Sequence, residues 1–130
     1  QKLLFLKELR KIVEFYGFYS PFSKGTIKDW THPKTLQYLN IRENDELLHQ
    51  KNLNGANVVA DYNNTKVKNI IDAWKKCALN EECIAPKGAS RKNHRFDQAI
   101  LSVLIHKNFP ELGKKMMYRK FGFKTHQDID

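Results

Sequence analysis

Two cysteines, Cys77 and Cys83, lie six positions apart and follow a segment with a helical pattern of apolar residues. Val67 and Trp74 lie on one helical face, and Asn64 is a candidate N-cap before them, which predicts a helix ending near the first cysteine. A disulfide across so short a loop restricts the unfolded chain by about 2 kcal/mol in the loop-entropy model. Two reduced, buried thiols are the alternative, since a metal site needs more ligands than this pair supplies.

An N-glycosylation sequon lies just before the same helix, with Asn63 as the acceptor and Thr65 as its third residue. A disulfide and a sequon together are typical of secreted or lumenal proteins, so we expect the secretory pathway (Golgi lumen) or the extracellular space. No apolar run reaches the ~20 residues of a membrane-spanning helix. The apolar start is interrupted at Lys7, too early for a signal peptide. We therefore expect no transmembrane segment in this chain.

The pattern along the chain predicts one domain over residues 1–130, of a mostly helical mixed α/β class with two to four strands. Leu9 and Val13 share a helical face that predicts a first helix over 2–16, ended by Gly17. The aromatic stretch 18–25 is broken by Pro and Gly and predicts an ordered loop. The other predicted elements are a helix capped by Thr31 or His32 with Pro33 in its first turn, a short helix over 43–50, a strand over 57–62, a loop over 86–90, a helix from about 93 to 107 and a short helix from 110 through 117.

The net charge of +9 and the pI near 9.6 predict an electropositive surface. Phosphates, nucleic acid, acidic glycans and anionic membranes are all candidate partners for such a surface. Charge alone identifies no ligand, and a solvated basic surface explains the composition equally well. Nucleic-acid binding ranks last because the chain contains no recognisable reader motif.

A charged cluster lies at the start of the apolar helix predicted from about residue 93. The free N–H groups of a helix start, together with cationic side chains, make a site suited to phosphate or diphosphate. Asp97 falls in the first turn, where it can accept a proton, orient a hydroxyl, or simply pair with Arg95 or Lys92. Both interpretations remain open. The cluster consists of Arg91, Lys92, His94, Arg95 and Asp97.

Trp30 lies in a loop beside Thr31 and His32, where it forms either a stacking platform for a sugar or base or a plug of the core. The sequence predicts no metal site. Its histidines show no i, i+4 pairing, and Asp128-Ile129-Asp130 follows no strand. His106, in the apolar helix, is expected to be a surface or core histidine. The five histidines are His32, His49, His94, His106 and His126.

Four motifs follow one another along the chain. They are Gly-Thr-Ile-Lys-Asp-Trp-Thr-His-Pro at 25–33, Trp-Lys-Lys-Cys-Ala-Leu at 74–79, Cys-Ile-Ala-Pro at 83–86 and Arg-Lys-Asn-His-Arg-Phe-Asp-Gln-Ala-Ile-Leu at 91–101. In this order they resemble the C-terminal half of a poorly characterised animal family related to nucleotide-sugar-dependent glycosyltransferases of the GT-A fold. The resemblance covers most of residues 15–107. It implies a fold similar to that half of a nucleotide-diphospho-sugar transferase.

The resemblance also implies roles for particular residues. It makes Asp97 and Gln98 catalytic or sugar-contacting residues, and it makes Cys77–Cys83 a structural bridge. The implied substrates are a nucleotide sugar and a glycan or protein acceptor, with Mn²⁺ or Mg²⁺ as the cofactor. The implied substrate-binding residues are His94, Arg95 and Arg91 on the donor side and Trp30, Thr31 and His32 beside the acceptor.

Members of such a family carry an N-terminal nucleotide-binding half with an Asp-x-Asp metal site, and this sequence contains no such half. The chain is then a piece of a longer protein or a shortened relative, and we expect little catalysis from it in isolation. A truncated layer exposes a sheet edge and an apolar face, which a partner or self-association can cover. The alternative function is a non-catalytic, secreted basic protein that binds glycans or other polyanions or forms part of an assembly.

Overall fold

The computed structural model describes residues 2–111 and Phe121. Helices and two small sheets alternate along this part of the chain, which agrees with a mixed α/β class. No helix in residues 2–111 is long and apolar enough to cross a membrane. The elements are α1 (Lys2–Tyr16), β1 (Phe18–Tyr19), β2 (Phe22–Thr26), α2 (Ile27–Trp30), α3 (Pro33–Tyr38), a 3₁₀ turn (Glu46–His49), β3 (Lys51–Leu53), β4 (Val59–Ala60), α4 (Thr65–Ala78), α5 (Glu81–Ile84) and α6 (Phe96–Asn108).

The first helix confirms the sequence prediction over residues 2–16. Leu9 and Ile12 are buried on its inner face and Val13 packs beside them, as the apolar spacing requires. The helix ends at Gly17, whose φ of +78° lies in the left-handed region that glycine adopts without a Cβ penalty. The Gly17 N–H donates to the Val13 carbonyl at 2.7 Å and closes the last turn.

The prediction of a loop over residues 18–25 is wrong, because this stretch contains two strands. β1 pairs antiparallel with β4, with Phe18 opposite Ala60, and β2 pairs antiparallel with β3, with Phe22 opposite Leu53. Pro21 lies between β1 and β2, which belong to separate two-stranded sheets. Each strand gains its partner from a segment more than twenty residues away, so local turn signals alone could not reveal it.

The helix starts follow the predicted capping chemistry. The His32 side chain accepts the Lys34 N–H with Pro33 at the first helical position of α3, and the Asn64 side chain accepts the Val67 N–H at the start of α4. These two observations confirm the predicted starts of both helices.

Other boundaries differ from the predictions. The helix expected over 43–50 is a single 3₁₀ turn, the strand expected over 57–62 is reduced to β4, and α5 was not predicted. α6 begins at Phe96 rather than near Asn93, because residues 90–94 form a turn in which His94 donates its N–H to the Ser90 carbonyl. The helix predicted from 110 through 117 lies outside the described residues, except for positions 110 and 111. The Asp128-Ile129-Asp130 motif also lies outside them.

The core is built around α6, whose residues from Ala99 to His106 are all buried. Its main cluster packs α6 against α4, β1, β2 and β3, and a smaller cluster joins Ile27, Ile41 and Leu48 to Val103. A helix that is apolar all round belongs in the interior of its domain. The start of this buried helix is therefore fixed in space, together with the charged cluster that precedes it.

Candidate functional site

His94 lies in the interior and joins three segments of the chain. Its side chain is 0% exposed, its Nδ1 accepts the His32 N–H at 3.0 Å and its Nε2 bonds the Ile84 carbonyl at 2.8 Å. Because a carbonyl can only accept, Nε2 carries the proton and the ring is neutral. Burial lowers the pKa of His94 below its usual value. With both nitrogens engaged and no exposed surface, this side chain holds the loops together and is not available to contact a substrate.

Arg95 covers the indole of Trp30. Its guanidinium carbon lies 4.1 Å from the centre of the ring, and its backbone N–H donates to the Trp30 carbonyl at 2.9 Å. On Gly25, at a φ of +88°, an added Cβ would overlap the same indole. Trp30 is thus partly buried against both Gly25 and Arg95. It is neither a fully exposed stacking platform for a sugar or base nor a fully buried plug of the core. The guanidinium stacks on the ring instead of forming an ion pair with Asp97.

Thr31 is buried and His32 is partly buried, so neither side chain is fully accessible to solvent. Thr31 is 3% exposed, and within the described part of the chain its hydroxyl has no hydrogen-bond partner. The His32 Nδ1 accepts the Lys34 N–H at 3.1 Å as the cap of α3. His32 keeps a partly exposed ring, so this loop contributes His32 and Trp30 to the surface and withdraws Thr31 from it.

Asp97 is exposed on the first turn of α6, with Gln98 partly exposed beside it. The Asp97 backbone carbonyl accepts the Trp74 indole N–H at 2.8 Å, which ties the start of α6 to α4. The turn at Gly55 packs against the same place, since a Cβ added there would lie 3.3 Å from the Gln98 Cα. Trp74 and Gly55 therefore join the site, although sequence reasoning assigned no site role to either; the Asn-Gly turn signal at 54–55 was the available clue.

The backbone at the start of α6 is strained and lacks a side-chain cap. Phe96 has a φ of +47°, which is unfavourable for a bulky side chain. Arg95 occupies the N-cap position without a side-chain hydrogen bond, whereas Thr26, His32, Asn64 and Asn80 cap the other helices from α2 to α5. Uncapped N–H groups at a helix start are suited to an anionic ligand.

Arg91 and Lys92 lie exposed on the turn before α6. The turn is closed by Asn93, whose side chain accepts the Ser90 N–H at 2.8 Å and donates to the Gly88 carbonyl at 3.1 Å. The fold therefore presents these two cations on the same loop that leads into Arg95 and Asp97.

The described residues do not fit a divalent metal. No group of three or more His, Cys, Asp and Glu side chains in residues 2–111 is arranged to hold an ion. His94 and His106 are buried and bond backbone carbonyls through Nε2. Residues 2–111 therefore supply no set of three or more protein ligands for the Mn²⁺ or Mg²⁺ that the family resemblance implies.

The sequence predicts two covalent features, a disulfide and a glycosylated asparagine, and the structure bears on them differently. Cys77 and Cys83 form a disulfide, with their Cα atoms 5.3 Å apart, which confirms the predicted bridge. Asn63 is exposed on the turn before α4, and its N–H donates to the Asp61 side chain at 3.0 Å. The sequon is accessible to modification, and glycosylation of Asn63 stays a prediction.

Comparison with protein-family models, curated proteins and solved structures gives no significant match to this chain.

Proposed function

We propose that this chain is the acceptor-side half of a glycosyltransferase-like domain of the GT-A type that works in the secretory pathway. The observation that carries the proposal is an exposed carboxylate, Asp97, on an uncapped and strained helix start beside cationic side chains. The motif resemblance over residues 15–107 points to the same aspartate and to Gln98.

The first turn of α6 supports a role in binding a diphosphate. Its helix dipole favours negative charge, and no side chain caps its first N–H groups, although the Gln98 N–H donates to the Arg95 carbonyl at 3.1 Å. Arg91 and Lys92 lie on the loop immediately before it. Backbone strain of the kind seen at Phe96 clusters at functional sites, where the surrounding structure holds it in place. Here Trp74 and Gly55 provide that support from α4 and from the β3–β4 turn.

In the proposed reaction, an acceptor hydroxyl attacks the anomeric carbon of a nucleoside-diphosphate sugar. A bond forms between the acceptor oxygen and the anomeric carbon, and the bond to the diphosphate oxygen breaks. Asp97 takes or orients the hydroxyl proton, while Arg95 and the helix start compensate the charge on the departing diphosphate. Gln98 contacts the sugar. We assign no step to a metal ion in this chain.

The test is an assay of the purified chain with nucleoside-diphosphate sugars and Mn²⁺, following donor binding by calorimetry and donor cleavage by product analysis. We expect measurable donor binding, and cleavage at a low rate. Asp97→Asn, which keeps the shape and removes the charge, should lower cleavage by about 100-fold while donor binding changes little.

Glu43→Gln is the matched control, because Glu43 is an exposed carboxylate on a different loop. It removes the same unit of charge and should leave both readouts unchanged. Absence of donor binding and cleavage at millimolar donor contradicts the proposal, as does an equal effect of the two variants.

A second candidate function is binding of glycans or other polyanions without catalysis. It is favoured by the net charge of +9 and by the exposure of basic side chains such as Lys7, Lys11 and Lys28. Retention on heparin that falls steeply with added salt, together with no donor binding, would support this function over the first.

A further inference from the structure

A groove of about 830 Å³ lies between α3, α5 and the loop that follows α5. Its lining contains none of the residues discussed at the start of α6. The volume falls within the range of small-molecule sites, roughly 300–1,000 Å³. The groove is therefore a second place on this molecule where a ligand of modest size fits.

The walls of the groove are held in place by contacts between its two sides. The Thr35 hydroxyl donates to the Cys83 carbonyl at 2.7 Å, and the disulfide at Cys83 anchors α5 to the end of α4. The Asn80 side-chain amide donates to the Tyr38 hydroxyl at 2.9 Å, and the Lys34 ammonium donates to the Lys87 carbonyl at 3.0 Å. A preformed site loses little conformational freedom when a ligand binds.

The charges in the groove balance. Lys34 and Lys87 contribute two positive charges, and Glu81 and Glu82 contribute two negative charges. This balance contrasts with the net charge of +9 of the whole chain. It disfavours a phosphate or a polyanion, since the carboxylates repel anions, and it favours a neutral ligand with many hydroxyls, which both signs of charge can hydrogen-bond.

Tyr38 supplies an aromatic surface within this polar setting. Its side chain is 44% exposed, and its hydroxyl already accepts a hydrogen bond from Asn80. The ring is therefore oriented by the protein and presents apolar surface to the groove, beside the buried Pro86. An aromatic ring flanked by carboxylate and ammonium groups matches a pyranose, which has an apolar C–H face and a polar rim.

We propose that this groove is a binding site for a neutral carbohydrate, with Tyr38 stacking on the sugar and Glu82 and Lys87 bonding its hydroxyls. The site is separate from Asp97 and does not depend on sugar transfer occurring there. The chain then carries a glycan-recognition surface of its own.

The experiment is a titration of the isotope-labelled chain followed by backbone amide NMR. The neutral probes are methyl glycosides of glucose, galactose and mannose and the disaccharide of N-acetylglucosamine. A heparin tetrasaccharide serves as the anionic probe. We expect at least one neutral sugar to shift the amides of Tyr38, Glu82 and Lys87, and the heparin probe to leave them unchanged.

Variants separate stacking from a general loss of structure. Tyr38→Ala should weaken neutral-sugar binding by about tenfold, while Tyr38→Phe keeps the ring and should bind within about threefold of the unchanged chain. Tyr62→Ala is the matched control, since Tyr62 is 53% exposed and lies outside the groove. Glu82→Gln provides a second test at an exposed position and should also weaken binding.

Three outcomes would overturn the proposal. In the first, no neutral sugar shifts the amides of Tyr38, Glu82 and Lys87. In the second, only the heparin probe shifts these amides. In the third, the Tyr38→Ala variant binds neutral sugar as tightly as the unchanged chain. A parallel titration with uridine diphosphate reports on the amides around Arg95 and Asp97, so failure of the groove and failure of the sugar-transfer proposal appear on separate resonances.

Discussion

Two imidazoles lie in the interior and connect segments that are distant in sequence. His94 links the loop before α3 to the end of α5, and His106 bonds the Lys51 carbonyl at 2.8 Å while its ring stacks against Phe22. A buried polar group is tolerated when its hydrogen-bonding atoms are paired. His94 meets this condition fully and holds the loop before α3 to the end of α5.

Replacing His94 with alanine should lower the free energy of unfolding by about 3 kcal/mol. The change leaves the His32 N–H and the Ile84 carbonyl without their partner and opens a cavity. Urea denaturation measures the loss. His49→Ala is the control, because His49 is exposed, and it should stay within about 0.5 kcal/mol of the unchanged chain. Equal effects of the two substitutions would show that the buried hydrogen bonds contribute nothing.

Stability should fall as the pH drops below the usual histidine pKa of 6.5, because burial lowers the pKa of both His94 and His106. In that range the unfolded chain takes up protons that the folded chain does not, so protons favour unfolding. The effect is absent well above pH 6.5. For His94 the nearby His32 lowers the pKa further, while the hydrogen bonds to the Ile84 and Lys51 carbonyls oppose the effect of burial on the pKa of His94 and His106 without overcoming it.

The measurement is chemical denaturation on both sides of pH 6.5, with imidazole titrations by NMR. The expected result is lower stability on the acid side, with His94 and His106 protonating below the usual histidine pKa of 6.5. Stability that rises on acidification would contradict this expectation.

At the scale of elements, α6 does more than fill the core. Its Ser102 hydroxyl accepts the Leu53 N–H at 2.8 Å, and one turn later His106 bonds the Lys51 carbonyl. Both groups belong to the edge of β3 that faces away from β2. An uncovered strand edge is open to pairing with another chain. Helix side chains thus close an edge that a two-stranded sheet would otherwise expose.

Ser102→Ala should weaken this closure, because it leaves the buried Leu53 N–H without an acceptor. The expected cost is about 1–3 kcal/mol, and the Leu53 amide should exchange with solvent about tenfold faster or more. Hydrogen exchange followed by NMR measures the rate. Lys107→Ala, at an exposed position of the same helix, should leave that amide protected. Unchanged exchange in Ser102→Ala would mean that the hydroxyl does not hold the strand.

At the scale of the whole molecule, apolar and basic surfaces meet on α1. Four consecutive side chains at its start, Leu3, Leu4, Phe5 and Leu6, are between 41 and 74% exposed. Lys7 and Lys11 follow on the same helix and are exposed. Large apolar surface of this kind marks an interaction site on a folded protein. What covers this surface stays a prediction.

We expect the chain to self-associate as its concentration rises, with the start of α1 in the contact. Leu6→Lys should shift the association to higher concentration, since it places a charge in apolar surface. Sedimentation velocity over a range of micromolar concentrations measures this. Leu79→Lys is the control, because Leu79 is 80% exposed and lies at the C-terminal end of α4, outside α1. A monomer at every concentration, or equal effects of the two substitutions, would contradict the prediction.

Local chemistry in the sequence determined the first helix, the starts of α3 and α4, and the disulfide. The apolar spacing of α1 and α4, the stop at Gly17, the caps at His32 and Asn64, and the pairing of Cys77 with Cys83 all depend on residues close together in the chain. Such features are readable because their energetics involve one turn or one short loop. The position of Asp97 in the first turn of α6 was also readable.

Only the tertiary structure decided what lies inside and which segments meet. It paired β1 with β4 and β2 with β3, moved His94 from the predicted substrate-binding set into the interior, and laid Arg95 over Trp30. It also brought Gly55 to Gln98 and formed the groove beside Tyr38. These outcomes depend on packing between segments tens of residues apart, where burial and long-range hydrogen bonds outweigh local preference.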